Sequence, residues 1–68
     1  MKKLDAIEKI AILADEAIGI AEVRELLGCS RTYAYALLKE GERLKKLRET
    51  YWTDEQGRFR VSYYRSGG

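Results

Sequence analysis

Leu26-Leu27-Gly28-Cys29-Ser30-Arg31-Thr32 is the stretch that decides how this chain folds. To its left, Glu22 to Leu27 reads as a short apolar helix running into Gly28, the residue type that leaves a helix through the left-handed region without strain. Cys29 is a small apolar plug, and Ser30 has the hydroxyl suited to capping a second helix. That helix opens Arg31-Thr32-Tyr33-Ala34-Tyr35-Ala36-Leu37-Leu38-Lys39, with basic and aromatic groups on one side and Ala/Leu on the other. Two helices joined by so short a Gly-containing turn cross steeply, which pushes the second one out as a ridge.

Working toward the N-terminus, Leu4, Ile7, Ile10, Ala11, Ala14 and Ile18 follow helical spacing and predict a first helix from about Lys3 to Ala17. Ile12 falls among its polar residues, as a single exposed apolar side chain or as part of a dimer contact. Gly19 is expected to end that helix and to cap the next, where Glu22 suits the positive end of the helix dipole. The second helix is expected to bury Val23, Leu26 and Leu27. At about 100° per residue, Ala34, Leu37, Leu38 and Gly41 share the inward face of the third. Thr32, Ala36, Lys39 and Arg43 share the opposite face, flanked by Tyr33 and Tyr35. Leu44 and Leu47 continue the inward stripe, which extends this helix through Gly41 to about Leu47. A helix-interior glycine costs roughly 1 kcal/mol relative to Ala, so a shorter helix ending at Gly41 is the alternative.

After Arg48 the period changes from helical to two. Tyr51-Trp52-Thr53 and Arg58-Phe59-Arg60-Val61-Ser62-Tyr63-Tyr64 are rich in aromatic and β-branched residues. Asp54-Glu55-Gln56-Gly57 between them has the chemistry of a type I turn ending in a left-handed glycine. A β-hairpin over about 51–64 follows, with Phe59, Val61 and Tyr63 expected to face the helices and Arg58, Arg60 and Ser62 to face outward. Ser66-Gly67-Gly68 is expected to be a frayed, disordered tail beyond a single domain of residues 1–65.

Sixty-eight residues support one domain with a small core, which oligomerisation would help to stabilise. With no His and one Cys, the chain has neither a His-assisted catalytic triad nor an internal disulfide, and no transition-metal site, cofactor or enzymatic activity is expected. No apolar run of about 18 residues is present, so no membrane association is expected. Met1-Lys2-Lys3 followed by Asp5 and Glu8 is unlike an export signal, and a cytoplasmic location is expected. There is no Asn and a single Gln, Gln56, while 35% of residues are charged, the composition expected of an archaeal or thermophile protein. The net charge of +2 is unevenly divided. Residues 1–29 carry four cations and six acids, a balance of −2, and residues 30–68 carry nine cations and five acids, a balance of +4. The basic excess begins where the ridge helix begins, a distribution that points toward nucleic acid.

Gly19-Ile20-Ala21-Glu22-Val23-Arg24-Glu25-Leu26-Leu27-Gly28-Cys29-Ser30-Arg31-Thr32 resembles the helix–turn–helix core of winged helix-turn-helix transcriptional regulators of the prokaryotic and archaeal type. Val23 and Leu27 fall where that family buries apolar residues, Gly28 on its turn glycine, Cys29 on its small aliphatic, and Ser30-Arg31 at the start of its recognition helix. The chain departs from the pattern at Arg24, where the family usually has Ala, and at Ala34, where it usually has Val or Ile. The resemblance implies an α+β, mostly α, winged fold of three helices and a two-stranded hairpin wing. It also implies a small regulator that binds double-stranded DNA.

A helix ridge of this width fits the major groove. Thr32 and Tyr35 have the groups to bond base edges or phosphates, and Ala36 is small enough for close approach to a thymine methyl. Arg31 adds to the anion site at the helix N-terminus. The expected interface is therefore Ser30, Arg31, Thr32, Tyr33, Tyr35, Ala36, Lys39 and Arg43 on the third helix, with Arg58 and Arg60 on the wing. Asp54 and Glu55 would repel phosphates, so the extreme tip is expected to point away from DNA. Trp52 and Tyr51, Tyr63 and Tyr64 read as core or dimer-interface residues. A homodimer is expected, because one helix reads few base pairs. Two other readings stay open. Leu27-Gly28-Cys29-Ser30-Arg31-Thr32, Leu38-Lys39-Glu40-Gly41 and Gly57-Arg58-Phe59-Arg60-Val61 also resemble excisionase-type architectural DNA binders, and a winged helix also serves as a protein-interaction module.

Overall fold

Three helices come first and an antiparallel hairpin last in the computed structural model, which describes residues 2–66. The order is α1 (Lys3–Leu13), α2 (Ile20–Leu27), α3 (Arg31–Arg43), β1 (Leu47–Thr53) and β2 (Phe59–Arg65), a winged-helix-like α+β arrangement that is mostly helical. Gly67 and Gly68, expected to fray, lie outside the described residues. Ser66 is tied down, its N–H donating to the Lys46 carbonyl at 3.0 Å, so the tail does not begin there.

α1 is shorter than its periodicity predicts, stopping at Leu13 rather than near Ala17. The reason is a competing backbone partner. Ile18 exchanges both hydrogen bonds with Tyr63 (3.0 and 2.8 Å), and the Ala14 carbonyl accepts from the Arg65 N–H at 2.8 Å. The chain must leave the helix to reach that edge of β2. Ala14 and Ile18 are still buried, as the apolar spacing requires. Leu4, by contrast, is largely exposed, and Ala6 takes its place on the inner face. Gly19 caps α2 but does not end α1. Its N–H donates to the Glu22 carboxylate at 3.0 Å. Of the three residues expected to be buried on α2, only Val23 is fully enclosed, while Leu26 and Leu27 are half-buried at the margin of the core.

The decisive turn forms as its chemistry dictates. Gly28 leaves α2 in the left-handed region (φ +62), and the Ser30 hydroxyl accepts from the Tyr33 N–H at 3.1 Å. α3 passes through Gly41 but ends at Arg43 rather than near Leu47, and the chain reverses at Lys45, whose φ is +61. Gly41 is there for space. A Cβ on it would lie 2.6 Å from Leu47 Cδ1 and 3.4 Å from Ile7 Cγ2. Leu47 keeps the inward position that its spacing predicts, but as the first residue of β1 folded back over α3. Ala34, Leu37 and Leu38 are fully buried with Ile7, Ile10, Val23, Leu47 and Tyr63.

In the hairpin, Leu47 pairs with Arg65 and Thr53 with Phe59. Gly57 (φ +77) closes the turn by donating to the Asp54 carbonyl at 3.0 Å, and the Asp54 carboxylate accepts from the backbone of Gln56 and Arg58. Along the face turned toward the helices, burial falls from base to tip. Tyr63 is enclosed, Val61 half-buried, and Phe59 85% exposed, against the expectation that all three pack on the helices. The helices cover only the base, so the last rungs overhang them. Ser62, expected outward in solvent, is on the outer face but buried, and its hydroxyl accepts from the Trp52 indole N–H at 2.9 Å. Among the described residues, no helix is long and apolar enough to cross a membrane.

Candidate nucleic-acid interface

The exposed side of α3 divides into two unlike halves. In the N-terminal half Ser30, Arg31, Thr32, Tyr33, Tyr35 and Ala36 are all exposed, as alternation with buried Ala34, Leu37 and Leu38 requires. Arg31 forms no ion pair among the described residues. In the C-terminal half the cations are engaged. The Lys39 ammonium donates to Glu49 at 2.9 Å and to Glu42 at 3.3 Å, and lies 5.8 Å from the centre of the Tyr35 ring. Arg43 makes a two-pronged pair with Glu40 at 2.8 and 2.6 Å. On sequence spacing, Glu40 and Glu42 lie off the cationic stripe. They nevertheless reach it, because residues three apart on a helix are neighbours.

Glu49 is the junction between α3 and the wing. The Tyr51 hydroxyl, the Lys39 ammonium and the Tyr63 hydroxyl (2.7 Å) all stabilise its carboxylate and lower its pKa from 4.5 to about 2. Glu49 in turn raises the Lys39 pKa, and burial together with Glu49 raises that of Tyr63. Lys39 thus holds the hairpin against the helix. Sequence reading missed this role, because nothing in a one-dimensional pattern places Glu49 beside Lys39.

On the wing, Arg60 Nε donates to Asp54 at 2.9 Å, and Arg58 is 4.0 Å from the same carboxylate. Asp54, expected to present its charge at the tip, instead turns it inward. Its side chain is 16% exposed, and the Arg58 and Gln56 backbone and Arg60 hold its pKa down. Glu55 remains exposed. One guanidinium nitrogen of Arg60 is used, leaving the other donors of the fork for a ligand.

Between the helix–turn–helix and the wing runs an open groove of about 670 Å³. Arg24 and Arg31 stand on its helical side, Trp52, Phe59 and Arg60 on its wing side, and the start of α2 at Gly19–Glu22 along its floor. Arg24 forms no ion pair among the described residues. Its signal in the sequence was a cation where the resembled family places Ala. Beyond Ile18 the edge of β2 is open here. Tyr63 directs both backbone groups at Ile18, so by the two-residue alternation of a strand Val61 and Phe59 direct theirs into the groove. The groove therefore collects Arg31 and Arg60 from the expected set and leaves Lys39 and Arg43 in ion pairs outside it. No group of His, Cys, Asp and Glu suited to a metal ion occurs among the described residues.

The chain matches no protein-family model, no curated protein and no solved structure.

Proposed function

We propose that this protein binds double-stranded DNA as a small dimeric winged-helix regulator, with the N-terminal half of α3 in the major groove and the hairpin as its wing. The observation that carries this reading is the groove between α3 and the wing. A ridge and a wing on either side of a cleft match a duplex whose sugar-phosphate strand separates its major groove from its minor groove. Arg24, Arg31 and Arg60 on the two walls supply charge and donors for phosphates. Ser30, Thr32, Tyr33, Tyr35 and Ala36 supply the short polar, aromatic and methyl groups for base edges. Arg58 reaches phosphate from the outer side of the wing. Lys39 and Arg43, balanced by Glu42, Glu49 and Glu40, add little net charge to this surface.

The exposed apolar residues of α1, Leu4, Ile12 and Leu13, support a second copy as the partner of that helix. The test is a titration of random-sequence duplex at several salt concentrations, followed by selection of bound fragments. Affinity that falls linearly with log salt, and a selected site with two related halves, are expected. Absence of binding at low salt overturns the reading. Sedimentation as a monomer at high concentration, with and without DNA, removes the dimer.

A further inference from the structure

Phe59 is the most exposed large apolar side chain among the described residues, at 85%, and it stands on the last rung of the wing opposite Thr53. A single exposed apolar residue needs no explanation in general. This one has three unusual features. Its backbone is held in place, because the turn behind it is fixed by three hydrogen bonds to Asp54 and by Gly57 in its left-handed conformation. It is bracketed in sequence by Arg58 and Arg60, both more than half exposed. It lines the same groove as Arg24 and Arg31, so an occupant that reaches those cations also meets the ring.

We propose that Phe59 is a wedge that enters between two stacked base pairs from the minor groove and kinks the duplex. This inference rests on the DNA-binding reading and extends it to the shape of the bound DNA and the steps it prefers. An apolar ring that shares its groove with Arg24 and Arg31, neither of them in an ion pair among the described residues, fits this occupant. Those arginines hold the phosphate strand beside the opened step, and the ring replaces the lost stacking. An apolar protein surface would leave those cations facing it unpaired. The rigid hairpin enters without first being ordered, which keeps the cost of binding low. The wedge also predicts specificity at positions that no side chain reads. Pyrimidine–purine steps unstack most easily, so a TA or CA/TG step is favoured beneath the wing, one groove away from the bases met by α3.

The experiment uses short duplexes selected from a random pool, with aminopurine placed at successive steps and fluorophores at the two ends. Wild-type protein brightens aminopurine at one step per half-site only and shortens the end-to-end distance. Phe59→Ala abolishes both signals and weakens binding about tenfold, the value of one lost aromatic stack. Phe59→Leu, which keeps an apolar wedge, retains the kink. Binding by wild type without any bend or brightening overturns the wedge and leaves the DNA-binding reading intact. So does Phe59→Ala binding and bending like wild type. If Phe59→Ala instead changes the sedimentation of the free protein, the ring belongs to a protein contact and the proposal fails. If wild type binds no duplex at low salt, both readings fall together.

Discussion

The base and the tip of the hairpin are built from the same kinds of residue and behave oppositely. At the base, Leu47 and Tyr63 are fully enclosed, and Glu49 gathers Lys39 and Tyr63 into a network tying the sheet to α3. At the tip, Tyr51, Trp52 and Phe59 are exposed, and Asp54 organises the turn. Strand chemistry alone does not separate these ends, since aromatic and β-branched residues alternate through both. What separates them is how far the helices extend underneath. The base is packed into the fold, and the tip stands clear of it.

The sharpest test of that difference is a pair of truncations. Tyr63→Ala removes a buried ring and should cost about 3–5 kcal/mol. At about 0.05–0.15 kcal/mol per residue, that is comparable with the whole stability of a chain this short. Circular dichroism should therefore find it largely unfolded. A folded Tyr63→Ala with a near-native melting temperature would show that the base is not where the hairpin is anchored.

Gly41→Ala comes next. Helix propensity alone favours the change by roughly 1 kcal/mol. The new Cβ meets Leu47, itself enclosed in the core, so the expected sign is reversed, with a loss of about 1–3 kcal/mol from overpacking. Gly41→Ala combined with Leu47→Ala should relieve the clash and show non-additive denaturant midpoints. A stabilised single variant would break the account of how β1 folds over α3.

Acid should loosen the base from about pH 4.5 downward, and the tip, where Asp54 is also held below its ordinary 3.8, only at lower pH. Glu49 holds its proton more weakly in the folded chain, with its pKa lowered from 4.5 to about 2. Its contribution is therefore complete above about pH 4.5 and is lost as pH falls toward 2. Melting temperatures across that range should fall for the wild type, and less steeply for Glu49→Gln, which starts from a lower value at neutral pH. Parallel curves for the two proteins would exclude Glu49 as the junction.

DNA affinity divides α3 in the same manner. Arg31→Ala and Arg24→Ala should weaken binding to every duplex and each flatten the salt slope by about one unit. Arg43→Ala should change the slope less, because it removes a cation that Glu40 already balances. The smallest effect belongs to the tip: Phe59→Ala should shift stability by no more than about 0.5 kcal/mol. A cost near that of Tyr63→Ala would mean that the overhang is packed after all.

Local chemistry was fully legible. Gly28 and Ser30 specify the turn between α2 and α3 because each meets a requirement of its own backbone, a left-handed exit and a capping hydroxyl. Asp54 to Gly57 likewise specifies its turn, and the change of apolar period after Arg48 marks where helix gives way to strand. The spacing also predicted that Ala14, Ile18 and Leu47 face inward, and they do, though none of them lies in a helix. Periodicity reports which side chains seek the core, not which backbone carries them there. The end of α1 was decided by the hydrogen bonds Ile18 exchanges with Tyr63, and the end of α3 by the fold-back that seats Leu47 against Gly41. The candidate site divides in the same way. The sequence determined which residues of α3 point outward. Only the tertiary structure brought Glu49 to Lys39 and set Arg24, Arg31, Phe59 and Arg60 around one groove. Those juxtapositions join residues far apart in the chain, and pairing across such distances follows from packing rather than from any local preference.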